Sequence, residues 1–414
     1  MTARLNLISV LPELKWPASI EFSRAIYNIV NKTNVKSVIV DFSNVQKAYP
    51  NGIVPIISEI NRYKQQGVEF TVIPPTNEKL QSIFLKMGWF HYIDTKLYSP
   101  PSDYDSATSI PLQKFSSFEE SNNLVNKTLN ICLQQLSFSQ GVFNGFEWVL
   151  NEILDNVLTH SCSECGWLQL MTYPDNHKLV WVICDSGIGI PNSIRKVRNV
   201  HSDKRAIATA IIKGVTSRPG HNMGHGLAGA IDITKASIAS SFAITSGKGR
   251  ISLIKGEINS NKSWPPFNGT CVEMQIDTSM PINFANTLLG DDPGAGGYIE
   301  NRFEDDDGEV KFNMEDYASN FGNRFTGESI RRLVSNLLKQ YQDKSIKIKM
   351  NGIRIISSSF ADELFGKLAV ELGRNKFFEI IKLEGANDIC QAIINSSIEQ
   401  RLEQTIEPVN SVNS

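Results

Sequence analysis

Three groups of residues in this chain have types and spacings that can do chemistry. Glu152 and Asn156 lie four apart in Asn151-Glu-Ile-Leu-Asp-Asn-Val-Leu-Thr-His160, so a helix displays both on one face. Apolar residues at 149, 150, 153, 154, 157 and 158 surround them. A carboxylate there can orient or deprotonate a water, and an amide oxygen suits a hard cation such as Mg²⁺. Asp185 ends the apolar run Val180-Trp-Val-Ile-Cys184 and is followed by Gly187, Gly189 and Ile190. A strand-end carboxylate can accept a hydrogen bond from an amino group such as that of adenine, and the glycines permit a tight turn close to a ligand. Gly220, Gly224 and Gly226 precede a helical run that begins with Leu227, and amides at such a helix start can face phosphate oxygens. Each motif alone also reads blandly, as an amphipathic edge, an Asp-Ser-Gly turn or a surface loop.

Other patterns carry less. Gly224 to Gly229 fits G-x-G-x-x-G but follows a polar loop instead of a strand, and no P-loop motif occurs. Cys162-Ser-Glu-Cys165 with His160 falls short of the four ligands of structural zinc and reads as a turn. Ser357, Ser358 and Ser359 stand where a helix starts. Helix capping is the favoured reading of such serines, with Ser358 and Ser359 kept as phosphoacceptor candidates.

The elements that must position these residues fall into three blocks. The first alternates strand and helix: strands at Leu7 onward, Val38–Phe42 and Val68–Ile73, helices at Gly52–Tyr63 and Asn77–Met87. After a Pro/Ser/Asp-rich stretch from Tyr98, two long helices are expected at Ser117–Leu136 and Gly141–His160. Strands follow at Trp167–Tyr173, Leu179–Cys184, Phe242–Thr245 and Thr270–Ile276. A Gly- and acid-rich stretch, 280–315, reads as a solvated connector. The last block has helices at Gly327–Lys339, Phe360–Leu372 and Ala386–Leu402, with strands at Ser345–Met350 and Phe377–Leu383. It repeats the order of the first. The chain is therefore expected to be a multi-domain α+β protein with domains over 1–100, 115–278 and 316–405.

Composition sets the outer limits. The 414 residues carry 41 Lys+Arg and 43 Asp+Glu, a net charge of −2, and 41% are hydrophobic. This excludes a disordered, collagen-like or disulfide-dense chain and does not indicate a nucleic-acid binder. No apolar run is long enough to span a membrane. Six scattered cysteines suit reduced thiols in a cytoplasmic protein.

Taken together, the middle-block motifs resemble the GHKL ATPase superfamily of gyrase, MutL, histidine kinases and a heat-shock chaperone. The helix with Glu152 and Asn156 looks like its N box. Asp185-Ser-Gly-Ile-Gly looks like the adenine-contacting box, Gly224-His-Gly-Leu227 like the glycine box that ends the lid, and Asn268-Gly-Thr-Cys-Val-Glu-Met like the strand that closes the site. The resemblance implies a central two-layer α/β sandwich of the Bergerat type. It implies ATP and Mg²⁺ as ligands, Asn156 on the metal, Asp185 on the adenine, and Glu152 as the acid that activates water. Gly187, Gly189, Ile190, Gly224, His225, Gly226, Leu227 and Thr270 would line the nucleotide. Residues 190–223 would be a lid, with Lys204, Arg205, Lys213 and Arg218 either steering phosphates or simply solvated. The flanking blocks resemble STAS domains, through Val38-Ile-Val-Asp-Phe-Ser-Asn-Val in the first and Ile355-Ile-Ser-Ser-Ser-Phe-Ala-Asp-Glu363 in the last. In the first, Tyr49-Pro-Asn-Gly52 replaces the usual serine.

Three functions follow as expectations. The first is an ATP-driven switch with hydrolysis that controls docking between domains or to a protein partner. The second is an anti-sigma-type serine kinase acting on a STAS domain, and the third a non-catalytic nucleotide-binding module. Many relatives of such an ATPase fold dimerise, and a homodimer is compatible with all three.

Overall fold

The computed structural model describes residues 6–101, 109–212, 226–282, 297–305, 307–342 and 344–406. It is a multi-domain α+β protein that divides into two compact units, one of residues 1–131 and 145–291, the other of 132–144 and 292–414.

The first unit opens with β1 (Leu7–Ser9), β2 (Glu13–Leu14), α1 (Trp16–Ile26), β3 (Ser37–Asp41), β4 (Lys47–Ala48), α2 (Pro50–Gln65), β5 (Glu69–Ile73), α3 (Glu78–Lys86) and α4 (Trp89–Ile93). Strands β1, β3 and β5 form a parallel sheet with β3 in the middle. The alternation Val38-Ile-Val explains that place, because Val38 and Val40 are fully buried. Asn77 caps α3 by accepting from the Leu80 amide, and Gly88 takes a left-handed conformation after it.

The chain continues with β6 (Ser109–Phe115), α5 (Phe118–Gln135), α6 (Val142–His160), β7 (Gly166–Tyr173), β8 (Lys178–Asp185), α7 (Gly189–Arg195), α8 (Asp203–Ala210), α9 (Gly226–Lys235), β9 (Ser241–Ile254) and β10 (Glu257–Asp277), all in the same unit except residues 132–144, where α5 ends and α6 begins, which belong to the second. The five strands pair antiparallel in the order β6-β7-β8-β10-β9. Register sorts their side chains onto two faces. Trp167, Cys184, Cys271, Val182 and Glu273 share one face, and Gly166, Asp185 and Thr270 lie on the other.

The first face is covered by the first block. Trp89 donates to Gln169 at 2.8 Å, Tyr92 meets Trp167 edge-on at 4.9 Å, and Trp16 meets Phe267 at 6.2 Å. Helix α2 adds Asn51 to Glu273 at 3.1 Å and Gln65 to Glu164 at 2.7 Å. One apolar core therefore runs from β3 through α2 into β7, β8 and β10. The two blocks that read as separate domains share this core because the sheet face is too apolar to be left in water.

The second unit contains α10 (Tyr298–Phe303), β11 (Val310–Asn313), α11 (Arg324–Gln340), β12 (Ile346–Lys349), α12 (Ser358–Ala361), α13 (Lys367–Leu372), α14 (Arg374–Ile380), β13 (Ile381–Glu384) and α15 (Asp388–Ile406). A π-helical turn, Asp362–Gly366, joins α12 to α13. Strands β11, β12 and β13 are parallel with β12 in the middle. Asn336 is buried and donates to the Leu133 and Leu136 carbonyls while accepting from the Phe138 amide.

Two sequence expectations differ here. Part of the stretch read as a connector, 298–303 and 310–313, is ordered as α10 and β11, since Tyr298, Ile299, Phe303, Val310 and Phe312 are buried. The strand expected at Phe377–Leu383 is split, with α14 running to Ile380 and only Ile381–Glu384 extended. Phe377 packs as a helical residue and its amide bonds back to the Gly373 carbonyl.

Candidate functional site

The candidate site lies where β8 ends. Asp185 is 3% exposed, and its Oδ1 accepts from the Gly187 amide at 2.8 Å. Burial pushes its carboxyl up to about 7, and the Gly187 and Thr270 amides pull it partly back. A buried carboxylate with spare acceptor capacity is prepared for a donor from outside the chain.

The turn after Asp185 is seated on α6. The Ile188 amide donates to the Ser161 carbonyl at 2.7 Å, and the Ser163 and Ser186 hydroxyls are 3.4 Å apart. This places the turn at the C-terminal end of α6, on which Asn156 and Glu152 stand about 7 and 14 Å back along the axis. Both side chains are half-buried, and neither hydrogen-bonds to a described residue. Burial raises the Glu152 carboxyl, and the charge of Asp155 adds to this.

The glycines of the turn serve the chain's own packing. A Cβ at Gly187 would sit 2.0 Å from the Ser161 carbonyl oxygen. Gly189 has φ +74, and its Cβ would meet Ser246 Oγ at 2.6 Å and the Gly269 oxygen at 2.8 Å. The room that a side chain would need at these two positions is therefore filled by protein.

Three participants were not singled out by sequence. Ser246 donates to the Gly269 carbonyl at 2.7 Å, accepts from the Ile190 amide at 2.9 Å, and lies 3.3 Å from Thr270 Oγ1. Gly269, at φ +101, backs directly onto Asp185. Its place in Asn268-Gly-Thr270 was the available signal. Ser246 and Ser161 carried none, because only the strand pairing and the turn bring them in.

The structure thus brings Asp185, Gly187, Gly189, Ile190 and Thr270 together, with the helix of Glu152 and Asn156 adjoining. Leu227 packs with Ile190 against Ile194, Ala206 and Ala210. Gly226 is the first residue of α9. Gly224 and His225 lie outside the described residues, as do Lys213 and Arg218. Lys204 donates to the Ser260 carbonyl at 3.1 Å. The expected lid stretch includes α7 and α8, joined by the 2.5 Å Arg195–Asp203 ion pair.

The donor set can be tested against the groups it would hold. Among the described residues no cluster of three or more His, Cys, Asp or Glu can hold a metal. A magnesium ion carried by nucleotide phosphates needs only one or two protein oxygens, and Asn156 offers an amide oxygen that accepts from no described residue. A separate cavity of about 450 Å³ opens on the other sheet face, lined by Tyr49, Asn51, Tyr173, Arg250, Glu273 and Gln275. Arg250 and Glu273 already pair there at 2.6 Å.

Of the serine candidates, Ser357 caps α12 by accepting from the Phe360 amide at 3.0 Å. Ser359 Oγ lies 3.0 Å from Ser357 Oγ, while Ser358 is exposed.

Residues 326–390 match the family described as STAS-like domain of unknown function (DUF4325). No curated protein matches the chain. No helix among the described residues is long and apolar enough to cross a membrane.

Proposed function

We propose that this chain is a Mg·ATP-binding regulatory protein whose nucleotide-driven switch is reset by ATP hydrolysis. In this reading residues 115–278 are a Bergerat-type domain of the GHKL class. Residues 1–100 are STAS-like, and the STAS-like region matched at 326–390 belongs to a domain spanning about 316–405. A protein partner reads the switch, in the cytoplasm.

One observation carries the reading: a buried carboxylate at a strand end, Asp185, held by backbone amides beside the helix that displays Glu152 and Asn156. Asp185 would accept from the adenine amino group, with Thr270 beside it. Asn156 would hold the Mg²⁺, whose charge offsets that of the phosphates. Glu152, with its raised carboxyl, is suited to take a proton from water. Calorimetric titration of Mg·ATP into the full chain tests the reading. Asp185→Asn should weaken binding about tenfold or more, the loss of one charge-assisted bond. Glu152→Gln should bind within about twofold of wild type yet lose turnover by about 100-fold. Absence of binding by the wild type would overturn the proposal.

A serine kinase acting on a STAS domain is the second reading, and the exposure of Ser358 at the α12 start favours it. The first block is poorly placed as a substrate in cis. The start of α2 meets Glu273, on the sheet face opposite Asp185. Transfer of ³²P from labelled ATP to wild type but not to Ser358→Ala would support this reading over hydrolysis.

A further inference from the structure

Four of the six cysteines, 162, 165, 184 and 271, lie near the end of β8, and two of them face each other. The β8–β10 ladder runs from Lys178↔Asp277 to Cys184↔Cys271, so the cysteine pair is its last rung. Beyond it β8 ends at Asp185, and β10 breaks register between Phe267 and Thr270. Directly opposed antiparallel residues have Cα atoms about 4.5–5.5 Å apart, inside the range of about 4.4–6.8 Å that a disulfide spans. Side chains directly opposite each other in a ladder leave the sheet on the same face, so the two thiols stand side by side. Both residues are reduced and fully buried.

We propose that Cys184 and Cys271 form a redox modification site, a dithiol that closes to a cross-strand disulfide by exchange with a low-molecular-weight disulfide. The Cys184 thiolate attacks RSSR, forming Cys184–S–S–R and releasing RS⁻. The Cys271 thiolate then attacks the Cys184 sulfur and releases the second RS⁻. The two protein thiols give up two electrons and two protons, and RSSR becomes two RSH. Both sulfurs lie in the core shared with the first block, so exchange requires local opening of this last rung. Burial pushes both thiols up, which keeps the closed rung slow to react. Once formed, the bond ties β8 to β10 one residue from Asp185 and one from Thr270. It therefore links the strand ends that carry Asp185 and Thr270, whatever the candidate site binds, so this inference stands apart from the nucleotide reading.

The test incubates the full chain with oxidised glutathione at mildly alkaline pH. It is then quenched in acid, alkylated under denaturing conditions and mapped by peptide mass spectrometry. A linked peptide pair containing 184 and 271 is expected in most wild-type molecules and in none of Cys184→Ser. Hydrogen exchange of amides 184–186 and 270–272 should slow about tenfold in the oxidised form, since fraying of that rung is then blocked. Any of four results would overturn the proposal: no linked pair, glutathione adducts alone, a Cys162–Cys165 bond alone, or unchanged exchange.

Discussion

The first and last α/β blocks are built alike and finish differently. Each is a three-stranded parallel sheet with its second strand in the middle, and in each a helix follows that central strand after a loop. In the first, the helix starts at Tyr49-Pro50-Asn51-Gly52. Gly52 is jammed against the Leu14 backbone, and Asn51 is tied to Glu273. In the last, the start is Ser357-Ser358-Ser359, with one serine capping and the next exposed. The same topology thus yields a structural cover in one place and an accessible helix start in the other. What differs is the company each helix end keeps.

The largest way to break this contrast is at Gly52. A Cβ there would sit 2.2 Å from the Leu14 carbonyl carbon. Gly52→Ala should therefore cost about 3 kcal/mol or more, read as a lowered midpoint in denaturant. A loss under about 1 kcal/mol would show that this helix start is as free as its counterpart.

A smaller effect probes the sheet face that the first block leaves uncovered. The Asp185 carboxyl is raised to about 7 in the fold, against an ordinary value of 3.8. Between these values the folded state keeps a proton that the unfolded chain has lost. Stability from this group is therefore full below about pH 4, falls as pH rises towards 7, and levels off above that. Asp185→Asn removes the dependence. At pH 8 it should be more stable than wild type by an amount on the order of 2 kcal/mol. Thermal melts across pH check the sign.

The smallest effects belong to the last block. Ser357→Ala should cost about 1 kcal/mol through the lost cap. Ser358→Ala should change stability by less than about 0.5 kcal/mol, as an exposed position does. A large loss at Ser358 would mean that its hydroxyl is structural and not free for modification.

Much of the site was legible in the chain. Glu152 and Asn156 were placed on one helix by spacing alone, and Asp185 at a strand end by the apolar run before it. Those are local properties, set by the 3.6-residue helical period and by β-branched runs. Strands β6 and β11 and helices α1, α7 and α8 were not anticipated, because their patterns are short or interrupted by polar residues. Phe377 misled because its apolar neighbours suit a strand as well as a buried helix turn.

By itself, then, the sequence determined the α+β class, the alternating order of the outer blocks and the motif residues, all written in local periodicity and turn chemistry. Only the tertiary structure decided that the first block covers one face of the five-stranded sheet. It alone also closed the room beside Gly187 and Gly189 with Ser161 and Ser246, and set Cys184 opposite Cys271. These depend on strand order and register, which join residues as far apart as Asn51 and Glu273. No local pattern specifies them, because they follow from which apolar surfaces must be hidden from water together.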